Sequence, residues 1–281
     1  MKQDSLLAQT RGLLRRFDLR ARKRLGQQFL VDDEVLAVIT SAAGLVPSDV
    51  VIEVGPGLGF LTRELARNAG RVIAVELDSR LAAMLRETLA AFDNVSIVNG
   101  DILDIDPASL ASGGYRVVAN LPYYITSPVL RHFLEASVRP ESMLVMVQKE
   151  VAEAIAAEPG QRSVLSISVQ YYGKPEIVSY VPARSFYPAP EVDSALLRID
   201  VYPQPAVAVS DKQGFFKLVR AGFTASRKQL VNSLAQGLGL PKAEVWSLLE
   251  GAGIAPQRRA ETLTLEEWAN LWRVTGGRED E

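Results

Sequence analysis

A β-branched run, Val50-Val51-Ile52-Glu53-Val54, passes without a spacer into Gly55-Pro56-Gly57-Leu58-Gly59 and then into an amphipathic stretch reaching about Asn68. A strand that turns through glycines straight into a helix puts bare backbone and a helix amino terminus at the carboxyl end of that strand, where a ligand can approach closely. The pattern then repeats. Arg71 to Val75 reads as a second strand ending in Glu76, seventeen residues after Gly59, and Val95 to Val98 as a third ending in Asn99-Gly100-Asp101. Tyr115 to Ala119 leads into Asn120-Leu121-Pro122-Tyr123-Tyr124. Pro122 cannot extend either a ladder or a helix, so that strand ends in an open turn. Strands alternating with helices predict an α/β sheet, largely parallel, with its ligands in the crevice at the carboxyl ends of the strands.

The residues collected there restrict the ligand. The spacing Gly-x-Gly-x-Gly differs from the dinucleotide pattern Gly-x-Gly-x-x-Gly, and Glu53 at the strand end repels a pyrophosphate while tolerating a cationic amino acid group. Glu76 stands where an acid grips ribose hydroxyls. Asp101 is placed to accept from an adenine amine. Together they imply an adenosine-bearing ligand that is not an anion at its reactive end. Asn120 offers an amide oxygen, Leu121 a carbonyl and Tyr123 a ring face, a set suited to a planar heterocycle with an exocyclic NH2.

Composition removes other chemistries. The 281 residues contain no cysteine and a single histidine, His132. Thiolate metal sites and disulfides are excluded, and histidine-rich metal sites or a Ser-His triad are not expected. No metal site is expected, and His132 reads as an ordinary surface or packing residue. With no apolar run of transmembrane length and a polar amino terminus, the chain is expected to be soluble and cytoplasmic. Residues 1–24 carry eight Lys or Arg against Asp4 and Asp18, a balance of +6 in a chain of net charge −2, which leaves −8 for the remainder. A basic arm on an acidic body points to a polyanionic partner.

The set Glu53-x-Gly55-x-Gly57-x-Gly59, Glu76, Asp101 and Asn120-Leu121-Pro122-Tyr123 resembles the S-adenosylmethionine-dependent methyltransferases, the last motif in the form found in adenine amino-group methylases. Three further segments are similar to the ribosomal RNA adenine dimethyltransferases of the small-subunit type. They are Arg24 to Leu30, Gln148-Lys149-Glu150-Val151, and Phe186 to Ser194. The family usually has Asn where Gln28 stands and Lys where Glu191 stands.

This resemblance implies a Rossmann-like seven-stranded sheet whose last strand is antiparallel, followed by a small helical carboxyl-terminal domain. It implies S-adenosylmethionine as cofactor, held by Gln28, Leu30, Gly55, Glu76 and Asp101, with Asn120 at the reaction centre. The substrate implied is a pair of adjacent adenosines in the 3′-terminal hairpin loop of 16S rRNA within the immature small subunit. Asn120 and Leu121 would accept the amine protons, and Tyr123 and Phe186 would sandwich the extruded base. Positioning then supplies most of the rate, and no general base is needed. Arg22, Lys23, Arg24, Lys149, Arg227 and Lys228 are the expected RNA contacts. The alternatives are a large-subunit (23S) adenine methylase and an RNA-binding assembly factor without turnover. The domains expected are a basic arm, 1–24, a catalytic domain, 25–203, and a helical domain, 204–281, in a monomer.

Between Tyr124 and Phe186, Met143 to Val147 reads as a strand and Gln148-Lys149-Glu150 as the start of a helix ending near Pro159-Gly160. Ser163 to Tyr172 alternates or runs apolar, leaving strand and helix both open. Ile177 to Val181 and Ala195 to Val201 read as a final hairpin. Beyond the linker composition of residues 202–210, Phe215 to Gly222, Lys228 to Gln236, Lys242 to Ala252 and Leu265 to Val274 read as helices.

Overall fold

A computed structural model describes residues 5–22 and 25–276. In chain order the elements are α1 (Leu6–Arg16), β1 (Phe29–Leu30), α2 (Asp33–Ala43), β2 (Val50–Val54), α3 (Phe60–Asn68), β3 (Arg71–Glu76), α4 (Ser79–Thr88), β4 (Val95–Asn99), α5 (Pro107–Leu110), β5 (Arg116–Asn120), α6 (Thr126–Leu134) and β6 (Ser142–Gln148). They continue as α7 (Lys149–Ala156), α8 (Val164–Gln170), β7 (Gly173–Val181), β8 (Phe186–Tyr187), β9 (Ser194–Val201), α9 (Lys212–Phe223), α10 (Leu230–Leu238), α11 (Lys242–Gly251) and α12 (Leu265–Val274). The chain divides into two units. One runs to Ala152 and includes Glu176–Val201; the other takes Glu153–Pro175 and everything from Tyr202 on.

The seven-stranded sheet has the order β4-β3-β2-β5-β6-β9-β7. The pairs β2·β3, β3·β4, β2·β5 and β5·β6 are parallel, and β9 runs antiparallel to β6 from Ser142↔Asp200 to Gln148↔Ser194. The Rossmann-like sheet with an antiparallel last strand is therefore as expected. Its central strands are covered on both faces, which explains why Val51, Ile52, Val117 and Val145 are fully buried and why these runs read as continuously apolar. On one face, Val51, Val72, Val118, Leu144 and Leu196 pack with Ile39 of α2, Leu65 of α3 and Leu85 of α4. Each such side chain contributes about 1.5–3 kcal/mol on burial.

Local signals set the helix ends. Asp32 caps α2, accepting from the Glu34 and Val35 amides at 3.1 and 3.3 Å, and Gly44 ends it in the left-handed region at φ 54°. Asp78 caps α4 through the Arg80 amide at 3.0 Å. The ambiguous run after Ser163 is the helix α8. Ser163 and Ser166 form a reciprocal capping box that commits the chain to helix despite its β-branched residues.

In the second unit α9 packs on α10, and α12 on both α9 and α11. Trp268 of α12 is fully buried, and a Cβ on Gly237 would stand 2.6 Å from Ala221 Cα, so α9 and α10 meet backbone to backbone. Tyr171 is buried against Phe215 and Phe216 at ring separations of 5.7 and 5.3 Å. A further antiparallel pairing joins β1 to β8, with Phe29 opposite Tyr187 and Leu30 opposite Phe186.

Candidate active site

From β2 the chain proceeds to β3 and β4 on one side, then returns to place β5 and β6 on the other. The reversal between β2 and β5 opens a crevice outside their carboxyl ends, where ligands of open α/β sheets bind. It is lined by Gly55, Gly57, Glu76, Asp101, Asn120 and Tyr124, with the loop Leu25–Phe29 along its rim.

The glycine turn forms its floor. Gly55, Gly57 and Gly59 all adopt the left-handed region, at φ 67°, 58° and 79°. A Cβ on Gly57 would also lie 3.2 Å from the Phe29 ring. Glu76 accepts from the Gly57 amide at 3.2 Å and the Asp78 amide at 2.9 Å, which holds its carboxyl against the glycine turn. Burial raises its pKa to about 7 despite the opposing hydrogen bonds from Asp78 and Gly57. Glu53, which also lines the crevice, is 1% exposed and is pushed up to about 8 by burial. The nearby Thr62 hydroxyl opposes that shift without reaching hydrogen-bond geometry, and Glu76 adds to it. Glu53 Oε2 is buried with no partner among the described residues, an acceptor left over for a donor entering the crevice. Asp101 caps the turn Ile102–Asp104 through one oxygen, on the Leu103 amide at 3.0 Å. Its second oxygen is uncommitted to any described residue. An adenosine carrying a cationic amino acid group fits this donor and acceptor set.

The turn after β5 is fixed from three directions. Asn120 Nδ2 donates to the Gln28 carbonyl at 3.1 Å, which leaves its Oδ1 as an acceptor with no partner among the described residues. The Leu121 amide donates to the Met146 carbonyl at 3.2 Å, and the Leu121 carbonyl receives no backbone hydrogen bond from a described residue. The Tyr123 hydroxyl bonds Ser194 Oγ at 2.7 Å, and burial raises its pKa. Tyr124 is 56% exposed, and its ring lies against Gly26, whose φ of 59° lets the rim loop run over Tyr124 and Pro122.

The residues picked from sequence are distributed as follows. Gln28, Gly55, Glu76, Asp101, Asn120 and Leu121 converge on the crevice. Leu30 also lines it, but as a buried residue of β1. Phe186 is buried in register with Leu30 and belongs to the core cluster. Arg22 forms an ion pair with Asp78 at 3.2 Å. Lys23 and Arg24 lie outside the described residues. Lys149 is exposed and stands 5.2 Å from the Tyr180 ring centre. Arg227 and Lys228 are exposed in the turn between α9 and α10, within the second unit. His132 bonds the Ile105 carbonyl at 3.0 Å, a packing contact. Among the described residues no helix is long and apolar enough to cross a membrane, and no group of His, Cys, Asp and Glu could hold a metal ion.

Sequence reasoning passed over the Gln27–Asp78–Arg22 cluster. Gln27 Nε2 donates to Asp78 Oδ2 at 3.3 Å and its Oε1 accepts from the Arg22 amide at 2.8 Å, fastening the rim loop to α4. The only sequence signal was Asp78 two residues after Glu76, which reads equally as a helix cap.

Comparison with known proteins agrees with this geometry. The model of the family described as "Ribosomal RNA adenine dimethylase" matches residues 18–275. The chain is 54% identical over 274 residues to a "Ribosomal RNA small subunit methyltransferase A" of Dehalococcoides mccartyi, covering 96% of this chain and 94% of the relative. It is 46% identical to a protein of the same name from Moorella thermoacetica, covering 94% and 96%. Among solved structures it is similar to the 23S rRNA methyltransferase ErmE, at TM-score 0.71 and 32% identity over 88% of this chain and 98% of that one. A dimethyladenosine transferase from Plasmodium falciparum shares the fold at TM-score 0.75 and 23% identity, covering 88% and 96%.

Proposed function

The chain belongs to the ribosomal RNA adenine dimethylase family, and on that premise we propose that it transfers methyl groups from S-adenosylmethionine to the exocyclic amines of two adjacent adenosines in the 3′-terminal hairpin loop of 16S rRNA. The observation that carries this reading is the Asn120 amide, whose NH2 is engaged by the Gln28 carbonyl so that its oxygen faces the turn as a free acceptor. A protein that only bound RNA would have no use for an amide so oriented.

Gly55, Glu76 and Asp101 would hold the cofactor, with Gln28 on the rim, the buried Leu30 in the lining and Glu53 as the acceptor for its amino group. When bound, S-adenosylmethionine would supply an electrophilic methyl on a sulfonium sulfur, with a neutral thioether as the leaving group that keeps the C–S electron pair. Asn120 Oδ1 and the Leu121 carbonyl accept the two amine protons of adenine, which draws the nitrogen lone pair out of conjugation and aims it. The Tyr123 ring stacks on the base, a contact worth about 1–3 kcal/mol. The proton is lost to water after the N–C bond forms. Rate comes from positioning, and no side chain is required as a base. The basic arm, 1–24, and the helical domain, 204–281, contact phosphates through Arg22, Lys23, Arg24, Arg227 and Lys228, with Lys149 beside the reaction turn. The protein acts as a monomer in the cytoplasm, on immature small subunits.

The test is transfer of labelled methyl groups to small-subunit particles lacking the modification, beside large-subunit RNA, with mass analysis of the nucleosides. Dimethyladenosine only in the small-subunit RNA is the expected result. Label in large-subunit RNA would instead favour the activity named for the ErmE structure. RNA binding without any label would favour an assembly factor.

A further inference from the structure

Ser194 is fully buried, yet its hydroxyl is spent on a residue of the reaction turn, Tyr123 Oη at 2.7 Å. It stands at the first position of β9, opposite Gln148 at the last position of β6. The preceding residue is bound on two sides. The Asp193 carbonyl accepts from the Lys149 amide at 3.0 Å, and Asp193 Oδ1 accepts from the Ala183 amide at 2.9 Å. Ser194 is therefore held by the antiparallel strand and by two further segments, whereas Tyr123 sits in a single 3-10 turn and is only half-buried. The bond couples a half-buried ring to a strand end that is tied on several sides.

We propose that Ser194 is a positioning residue that sets the Tyr123 ring for the second methyl transfer more than for the first, an inference that rests on the reading of the site as an adenine dimethyltransferase. Unmodified adenine presents two amine protons, one for Asn120 Oδ1 and one for the Leu121 carbonyl. After one methylation a single proton remains, so one of these contacts is gone and the base depends more on the ring face. In the second transfer the nitrogen gains another N–C bond and gives up that last proton to water, with no added donor to hold the base. A ring free to tilt then costs the second step more than the first.

The test compares wild type, Ser194→Ala, Tyr123→Phe and the double variant on the same small-subunit particles, measuring the ratio of monomethyladenosine to dimethyladenosine at equal total transfer. Tyr123→Phe removes the bond while keeping the ring, so the result does not depend on whether Ser194→Ala packs well. Each single variant is expected to raise the ratio by about fivefold, the factor corresponding to one ordinary hydrogen bond, and the double variant to add nothing. A fluorescent purine at the target position of an RNA fragment, read without cofactor, is expected to lose quenching equally in both single variants. A wild-type ratio in either single variant, multiplying effects in the double, or unchanged quenching would overturn the role of Ser194. If wild type forms no methylated adenosine at all, it is the dimethyltransferase reading that fails.

Discussion

The side-chain amide of Asn120 donates to the main-chain carbonyl of Gln28 at 3.1 Å, so the group that orients the reaction-centre residue comes from the backbone of a loop, not from a side chain. Two opposite sensitivities follow. Asn120→Ala should lower methyl transfer by about 100-fold or more, because positioning is the main source of rate. Gln28→Asn, which keeps the carbonyl and restores the residue usual in the family, should leave turnover within about twofold, since the orienting bond is unchanged. Single-turnover assays of both variants, with thermal melts as folding controls, measure the contrast.

The buried carboxyls give the ligand-free protein a specific pH response. Glu53 and Glu76 have folded-state pKa values of about 8 and about 7 against an ordinary 4.5, so between pH 4.5 and 8 the folded state binds more protons than the unfolded one. Their contribution is present in full at low pH and is lost as pH rises through the folded values. Glu53→Gln should therefore stabilise the ligand-free protein at pH 8 relative to wild type, by an amount on the order of a few kcal/mol that shrinks towards pH 5. Urea titrations at the two pH values test this; equal effects at both would contradict it. The same substitution should weaken S-adenosylmethionine binding, because the amide that replaces the unpartnered carboxyl cannot carry a negative charge opposite the cofactor's ammonium group.

Gly57 combines a positive φ with a close neighbour. Gly57→Ala places a Cβ at 3.2 Å from the Phe29 ring in a conformation costing an L residue about 1–2 kcal/mol. Because Phe29 follows Gln28, the strain is transmitted to the carbonyl that orients Asn120. A loss of stability of about that size is expected in urea unfolding, together with a fall in kcat. Gly160, at φ 108° with nothing within 4 Å of a Cβ, serves as the comparison: Gly160→Ala should destabilise without altering kcat.

In the second unit Thr264 and Glu267 form a capping box at the start of α12, and Glu267 also takes the Arg258 guanidinium. The Arg258 hydrogen bond is the main reason the Glu267 carboxyl titrates below its ordinary value. Its stabilising effect is thus present above pH 4.5 and lost as pH falls through the lower folded value. Thr264→Ala should cost about 1 kcal/mol at neutral pH. An unchanged denaturation midpoint would rule out that role for the cap.

What could be read from the sequence, and what could not, divides along chain separation. The glycine turn and the acids at three strand ends are each set by residues within a few positions of one another, so periodicity and turn chemistry sufficed. The helical state of Val164–Gln170 depended on a serine pair that competes with β-branched propensity, and the run stayed ambiguous. Tyr123 with Ser194, and Gln27 with Asp78, are bonds between distant segments whose residue types have ordinary local explanations. The buried ring of Phe186 likewise follows from its pairing with Leu30, a register that no local pattern encodes.

That short pairing of β1 with β8 also bears on when the site comes into being. The βαβ units from β2 to β6 are built from neighbours in sequence and can form early, since nearby segments meet at low entropic cost. The rim loop acquires its partner strand only once residues 186 and 187 are available, and the Tyr123 anchor only with Ser194. During synthesis, therefore, a sheet with its glycine turn and acids would precede a competent catalytic pocket by the 46 residues that separate Gln148 from Ser194. The complete pocket thus depends on β9, the last strand in chain order, which brings Ser194 to Tyr123.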